Sequence, residues 1–254
     1  MRQTSSKFQF REFCVDDDRC AMKVGTDGIL LGAWTSAHPA VRKLKPRSIL
    51  DVGCGCGLIS LMLASQYPHA QVTAIDIDAH ATFQAADNFR RSRWASCFHA
   101  KSMSLSQFAI SEQRGTIDLV VSNPPYFSAG TLPPAVNRRL ARHQQAMTMQ
   151  SLLADTASLA NSCSLLSLVL PSFDEDRLMV DAAENAWHVE TVTEVRSFPH
   201  RLPHRILILL SRTEVTISRQ ELVIYQAPGR YSRAFWELTN AYYLDSTPAK
   251  PVDS

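Results

Sequence analysis

Three features of the 254-residue sequence predict an α/β fold, a mostly parallel sheet with helices on both faces. From residue 48 onward, short apolar runs alternate with longer amphipathic ones, the pattern of repeated βα units. The first run leads into a glycine-rich loop, Asp51-Val52-Gly53-Cys54-Gly55-Cys56-Gly57. A later run over 117–122 ends in Asn123-Pro124-Pro125-Tyr126. Open α/β sheets hold ligands at the carboxyl ends of their strands, so both loops stand where a ligand is expected.

Taken in order, the first 20 or so residues carry only a weak strand pattern at 8–15. The segment 19–32 places polar residues at a glycine turn before an apolar helix, with Thr26 or Asp27 as its cap. Strands are expected at 48–52, 72–75, 97–99 and 117–122, with helices at 58–66 and 79–89. A helix at 150–160, a strand at 165–170 stopped by Pro171, and a helix at 174–186 follow. The strands at 189–195 and 205–210 bring the count to seven, the last apolar on both faces. Residues 215–225 read as two strand-like stretches split by Ser218-Arg219-Gln220, and 231–244 as an aromatic-rich closing helix. The chain thus reads as one domain over 1–244, with an N-terminal lid segment of about 45 residues and a frayed tail at 245–254. The stretch 128–145 is long for a βα connection, and long loops at strand ends are usually functional or disordered.

A hydrophobic content of 45% is ample for one large core, and a net charge of +2 excludes a strongly basic coat while permitting a local patch. Six scattered cysteines, Cys14, Cys20, Cys54, Cys56, Cys97 and Cys163, with no secretory apolar segment before them, suit a reducing cytosol. Cys54 and Cys56 lack a second ligand pair at zinc spacing, so no metal is expected. No apolar run approaches the roughly 20 residues of a membrane span, so no membrane is expected either.

Gly53, Gly55 and Gly57 let the backbone approach a ligand and present amides at a helix N-terminus. Asp76 ends the next strand, about twenty residues on, where a carboxylate accepts the hydroxyls of a ribose. Asp51 could bind a cofactor ammonium or cap the following turn. A dinucleotide dehydrogenase competes for this half of the site, but its pattern usually has two residues between the second and third glycines, where this chain has only Cys56.

The second loop points to methyl transfer onto a planar nitrogen. An amino group conjugated to a ring is a poor nucleophile, so its N–H bonds must be held with the lone pair left available. The Asn123 side-chain oxygen and a proline-adjacent carbonyl can accept those two bonds, while rigid Pro124-Pro125 fixes both and Tyr126 offers a stacking face. Asn-Pro and Pro-Pro also mark ordinary turns, so the pairing with the glycine loop is what gives the motif weight.

Together the two loops resemble class I S-adenosylmethionine-dependent methyltransferases with an Asn-Pro-Pro-Tyr loop. The likeness extends through 13–34, Arg201-Leu202-Pro203-His204-Arg205, Tyr231-Ser232 and Tyr242-Tyr243-Leu244, where the chain is similar to the bacterial tRNA1(Val) adenine-N6 methyltransferase family. That resemblance implies a Rossmann-like, seven-stranded sheet with an antiparallel final strand, S-adenosylmethionine as donor, and adenine 37, 3′ of the anticodon of a valine tRNA, as acceptor. By position it assigns Asp51, Gly53, Gly55 and Gly57 to the donor and Asp76 to its ribose, with Lys23, Thr26 and Asp27 reaching the donor from the N-terminal segment. It assigns Asn123, Pro124, Pro125 and Tyr126 to the adenine, and the mechanism this suggests adds Phe127 as a second stacking ring. For an RNA substrate, Arg138, Arg139, Arg142, Arg201, Arg205, Arg230 and Arg233 are candidates for phosphate contacts, each alternatively an ordinary solvated or ion-paired arginine. One departure stands out: the family commonly has an Asp after the third strand that accepts the cofactor's adenine amino group, and here Lys101 aligns with it, leaving Ser102 or a backbone carbonyl as substitutes. The same loop would serve a protein glutamine or another RNA or DNA adenine, and a non-catalytic RNA-binding module is a further alternative.

Overall fold

A computed structural model describes residues 7–124 and 147–244. A hairpin, β1 (Lys7–Gln9) and β2 (Cys14–Asp16), precedes two helices, α1 (Thr26–Ala37) and α2 (Pro39–Leu44). The βα units follow as β3 (Ser48–Val52), α3 (Leu58–Gln66), β4 (Gln71–Asp76), α4 (Ala79–Arg90), β5 (Phe98–Ser102), α5 (Leu105–Ser111) and β6 (Ile117–Ser122). Beyond them come α6 (Met149–Leu159), β7 (Ala160–Pro171), α7 (Glu175–Glu184), β8 (His188–Arg196), β9 (Arg205–Ser211) and β10 (Ser218–Val223). A small antiparallel pair, β11 (Tyr225–Ala227) and β12 (Arg230–Tyr231), leads into α8 (Arg233–Thr239).

The main sheet has the order β10-β8-β9-β7-β6-β3-β4-β5. Strands β3 to β7 pair in parallel, β9 is antiparallel to both β7 and β8, and β10 runs parallel to β8. The sheet therefore has eight strands rather than the seven expected. The extra one, β10, contains the Ser218-Arg219-Gln220 stretch read from sequence as a break. Its first four residues are exposed, so main-chain pairing to β8 at the sheet edge holds it, without the apolar alternation by which a strand is recognised. The closing helix is also shorter than expected: 230–231 pairs with β11, and the Ser232 hydroxyl then caps α8 by accepting from Phe235 N at 3.0 Å.

Period-2 alternation sends Val72 and Ala74 to the face covered by α1, α3 and α4, and Ile75 to the face covered by α5, α6 and α7. Each fully buried aliphatic side chain contributes about 1.5–3 kcal/mol. Helix α1 lies close on α3 because Gly32 leaves no side chain between them; a Cβ there would sit 2.7 Å from Met62 Sδ. Polar pins orient α1 on the sheet: the Thr35 and Ser167 hydroxyls are 2.6 Å apart, and Trp34 Nε1 donates to Thr193 Oγ1 at 3.1 Å. No helix among the described residues is long and apolar enough to cross a membrane.

Candidate active site

Strands β3 and β6 are neighbours, with Val52 in register with Ser122, and the Ser122 hydroxyl donates to Val52 O at 2.8 Å. The next residues on the two strands are Gly53 and Asn123, so both loops leave the same sheet edge one strand spacing apart, about 4.8 Å. Gly53 and Gly55 adopt φ of 72° and 54°, and a Cβ on either would meet nothing within 4 Å. These two glycines therefore face open space. Asp76 ties the loop down: its Oδ2 accepts from Gly55 N at 3.0 Å and its Oδ1 from Asp78 N at 2.9 Å. Each oxygen retains a second lone pair.

Asp51 is fully buried, and its two oxygens are differently occupied. Oδ2 accepts from Ser60 N at 3.2 Å and Ser60 Oγ at 2.6 Å, capping the first turn of α3. Oδ1 is buried with no hydrogen-bond partner among the described residues. A buried acceptor left unpaired costs about 1–3 kcal/mol, which a cation or N–H donor on a ligand would recover. Burial pushes the Asp51 carboxyl up to about 7, the Ser60 bonds opposing it, and burial raises Asp76 as well. Because the folded-state value of Asp51 lies above the unfolded one, the native chain keeps a proton that the unfolded chain has lost between about pH 4 and 7, and stability falls as pH rises through that window. Asp51→Asn is accordingly expected to gain on wild type by up to about 1.4 kcal/mol per pH unit across the window. Thermal melts from pH 4 to 8 check this, and a gap that stays constant with pH contradicts it.

The N-terminal segment packs against the glycine loop, with Phe13, Val15 and Cys20 sharing an apolar cluster with Cys54 and Cys56. Asn88, which sequence reasoning missed, fastens the two together. Its Nδ2 donates to Asp16 O and Cys56 O, both at 2.8 Å, and its Oδ1 accepts from Asp16 N at 3.1 Å. Lys23 Nζ donates to Asp17 O at 2.7 Å and Asp18 O at 3.3 Å, folding the 17–24 turn on itself. Neither Thr26 nor Asp27 caps α1: Gly25 is the N-cap residue and supplies no side-chain bond. Thr26 is exposed in the first turn, and Asp27 pairs instead with Arg205 Nε at 2.9 Å, joining α1 to the start of β9.

Asn123 is half-buried with no side-chain hydrogen bond to the described residues, and Pro124 is buried. Pro125, Tyr126, Phe127, Arg138, Arg139 and Arg142 lie outside the described residues. Lys101 turns toward α5, with Nζ 2.6 Å from Glu112 Oε1 and 5.1 Å from the Phe108 ring centre. Ser102, in register with Asp76, is the residue beside it at the strand end.

The methyltransferase small domain family matches residues 38–151. Among curated relatives, the tRNA1(Val) (adenine(37)-N6)-methyltransferase of Tolumonas auensis is 35% identical over 93% of this chain and 96% of its own length. The protein of that name from Bacteroides thetaiotaomicron is 37% identical over 93% and 97%. Among solved structures, a predicted O-methyltransferase from Agrobacterium tumefaciens superposes with a TM-score of 0.64 at 15% identity, covering 85% of this chain and 96% of that one. TYW2 of P. horikoshii, in complex with MeSAdo, gives 0.57 at 14% identity, covering 84% and 73%. These two likenesses agree on the fold.

Proposed function

The chain belongs to the tRNA1(Val) (adenine(37)-N6)-methyltransferase family, and we propose that it transfers a methyl group from S-adenosylmethionine to N6 of adenine 37, 3′ of the anticodon in tRNA1(Val). The observation that carries this is the Val52–Ser122 register with its hydroxyl bond, which sets an open glycine loop beside an Asn-Pro loop.

The residues fit the donor. The unpartnered Asp51 Oδ1 suits its ammonium, the space before Gly53 and Gly55 admits its body, and Asp76 offers acceptor capacity for ribose hydroxyls. Bound there, the donor supplies a methyl group activated by a sulfonium. The segment up to about residue 45 acts as its lid within a single 1–244 domain, Asp27 holding it to the sheet through Arg205, while Thr26 and the one N–H that Lys23 does not give to Asp17 O and Asp18 O serve the donor carboxylate.

Asn123 Oδ1 accepts one N–H of the adenine amine and the Pro124 carbonyl the other, while Tyr126, with Phe127, stacks on the ring. Held in this way, the nitrogen keeps its lone pair toward the donor side, and the contribution of the protein is mainly positioning. The methylated nitrogen is strongly acidic and sheds its proton to solvent, so no side chain has to act as base. An anticodon loop already displays unstacked bases, which lowers the cost of bringing one into a pocket. A tRNA substrate also implies a cytoplasmic protein.

The test is incubation with labelled S-adenosylmethionine and unmodified tRNA, followed by nucleoside mapping. The expected product is N6-methyladenosine at position 37, with no label on glutamine peptides or DNA. Donor binding without transfer to tRNA refutes the proposal.

A further inference from the structure

The carboxyl edge of the sheet carries a second feature beyond the two loops. β7 ends at Pro171, in register with Arg205 at the start of β9, and Arg205 is also in register with Val195 near the end of β8. The 197–204 connection therefore lies on the same edge as Asn123, two to three strands away, or about 10–15 Å. Ser172 Oγ donates to Pro203 O at 2.9 Å, which holds the end of β7 against it.

This connection lines an open groove of about 640 Å³. The rings of Phe198 and His200 stack with centres 5.8 Å apart and planes 20° apart, and Tyr225 supports Phe198 from 5.6 Å. Leu202 is 84% exposed, and Phe173, just past β7, is 67% exposed. Of the other arginines near this edge, Arg196 pairs with Glu194 and Glu221 and Arg205 with Asp27, while Arg230, exposed on β12, has no acidic partner among the described residues. Arg201 is exposed and has no acidic partner among the described residues. A flat aromatic pair, apolar side chains in water and an uncommitted guanidinium together match a ligand with one planar apolar part and one anionic part.

We propose that this groove seats a nucleotide of the RNA substrate close to the methylated base, its base stacked on His200 and Phe198 and its phosphate held by Arg201. The proposal rests on the reading of tRNA as substrate and adds the surface that holds it.

His200→Ala, Arg201→Ala and their double variant test it, since both side chains are exposed and leave the core intact. Binding of unmodified tRNA is measured without donor over a range of salt, alongside donor affinity, melting temperature and kcat at saturating tRNA. The double variant is expected to bind tRNA about tenfold more weakly or worse, with the other three readouts unchanged. Arg201→Ala should reduce the salt slope by about one, and Arg201→Lys should restore it. A folded double variant that binds tRNA as tightly as wild type overturns the groove, as does one that loses only kcat. If wild type binds tRNA through these residues yet transfers no methyl group, the groove stands and the adenine-methylation reading fails.

Discussion

Asn123→Ala is expected to lower kcat by roughly 10²–10³-fold while donor affinity stays within about a factor of two, the range seen when one preorganised hydrogen-bonding partner of the reacting group is removed. The Asn123 side chain has no partner among the described residues, so truncation strands no buried group and the melting temperature should hardly move. Loss of activity would then report on positioning alone. Asn123→Asp keeps an acceptor oxygen at the same place and should retain more activity than the alanine variant, because what the amine requires is an acceptor for its N–H bond. Single-turnover transfer with labelled donor and tRNA measures both. Wild-type turnover in the alanine variant, with donor bound, would remove Asn123 from the mechanism.

The parts of this architecture legible in the sequence are those where burial and backbone conformation leave a local mark. Parallel strands covered on both faces tend to be continuous apolar runs, and each of β3 and β6 stops at residues with special backbone demands, Gly53 and Asn123-Pro124, so strand and loop could be read together. The strand β10 escaped because its exposed side chains carry no burial signal. The N-terminal contacts escaped for a different reason. Asn88 meets Asp16 across 72 residues and Arg205 meets Asp27 across 178, and no local pattern encodes a pairing at that distance. Asp27 looked like a cap because short-range chemistry was all that could be seen; the fold supplied a cation instead. For Asp51 the cap reading holds through Ser60, and the second oxygen has no partner among the described residues. Lys101 likewise has a local explanation in Glu112, which draws it toward α5.

Gly57→Ala is expected to be the most destabilising single substitution in the glycine loop. Gly57 has φ of 81°, and an L-residue in that region costs about 1–2 kcal/mol. Its Cβ would lie 2.5 Å from Phe89 Cε1, 2.7 Å from Cζ and 3.2 Å from the Ala85 Cβ. The Phe89 ring cannot easily swing aside: it is buried and stacked face to face on Phe98, centres 4.1 Å and planes 8° apart. Overpacking of this kind costs about 1–3 kcal/mol more. At about 2–4 °C per kcal/mol for a chain of this size, the melting temperature should fall by on the order of 10 °C. Phe89→Leu in the Gly57→Ala background should recover part of the loss, since it relieves the contact and leaves the dihedral strain. Gly55→Ala is the matched control: its φ of 54° carries the dihedral cost, but its Cβ points into open space. It should melt only a few degrees lower, on the conformational cost alone, yet bind donor far more weakly, because the added methyl occupies the space assigned to the ligand. Melting curves and donor titrations on both variants separate the two effects, and equal loss of stability in both would mean that Phe89 does not limit the room at Gly57.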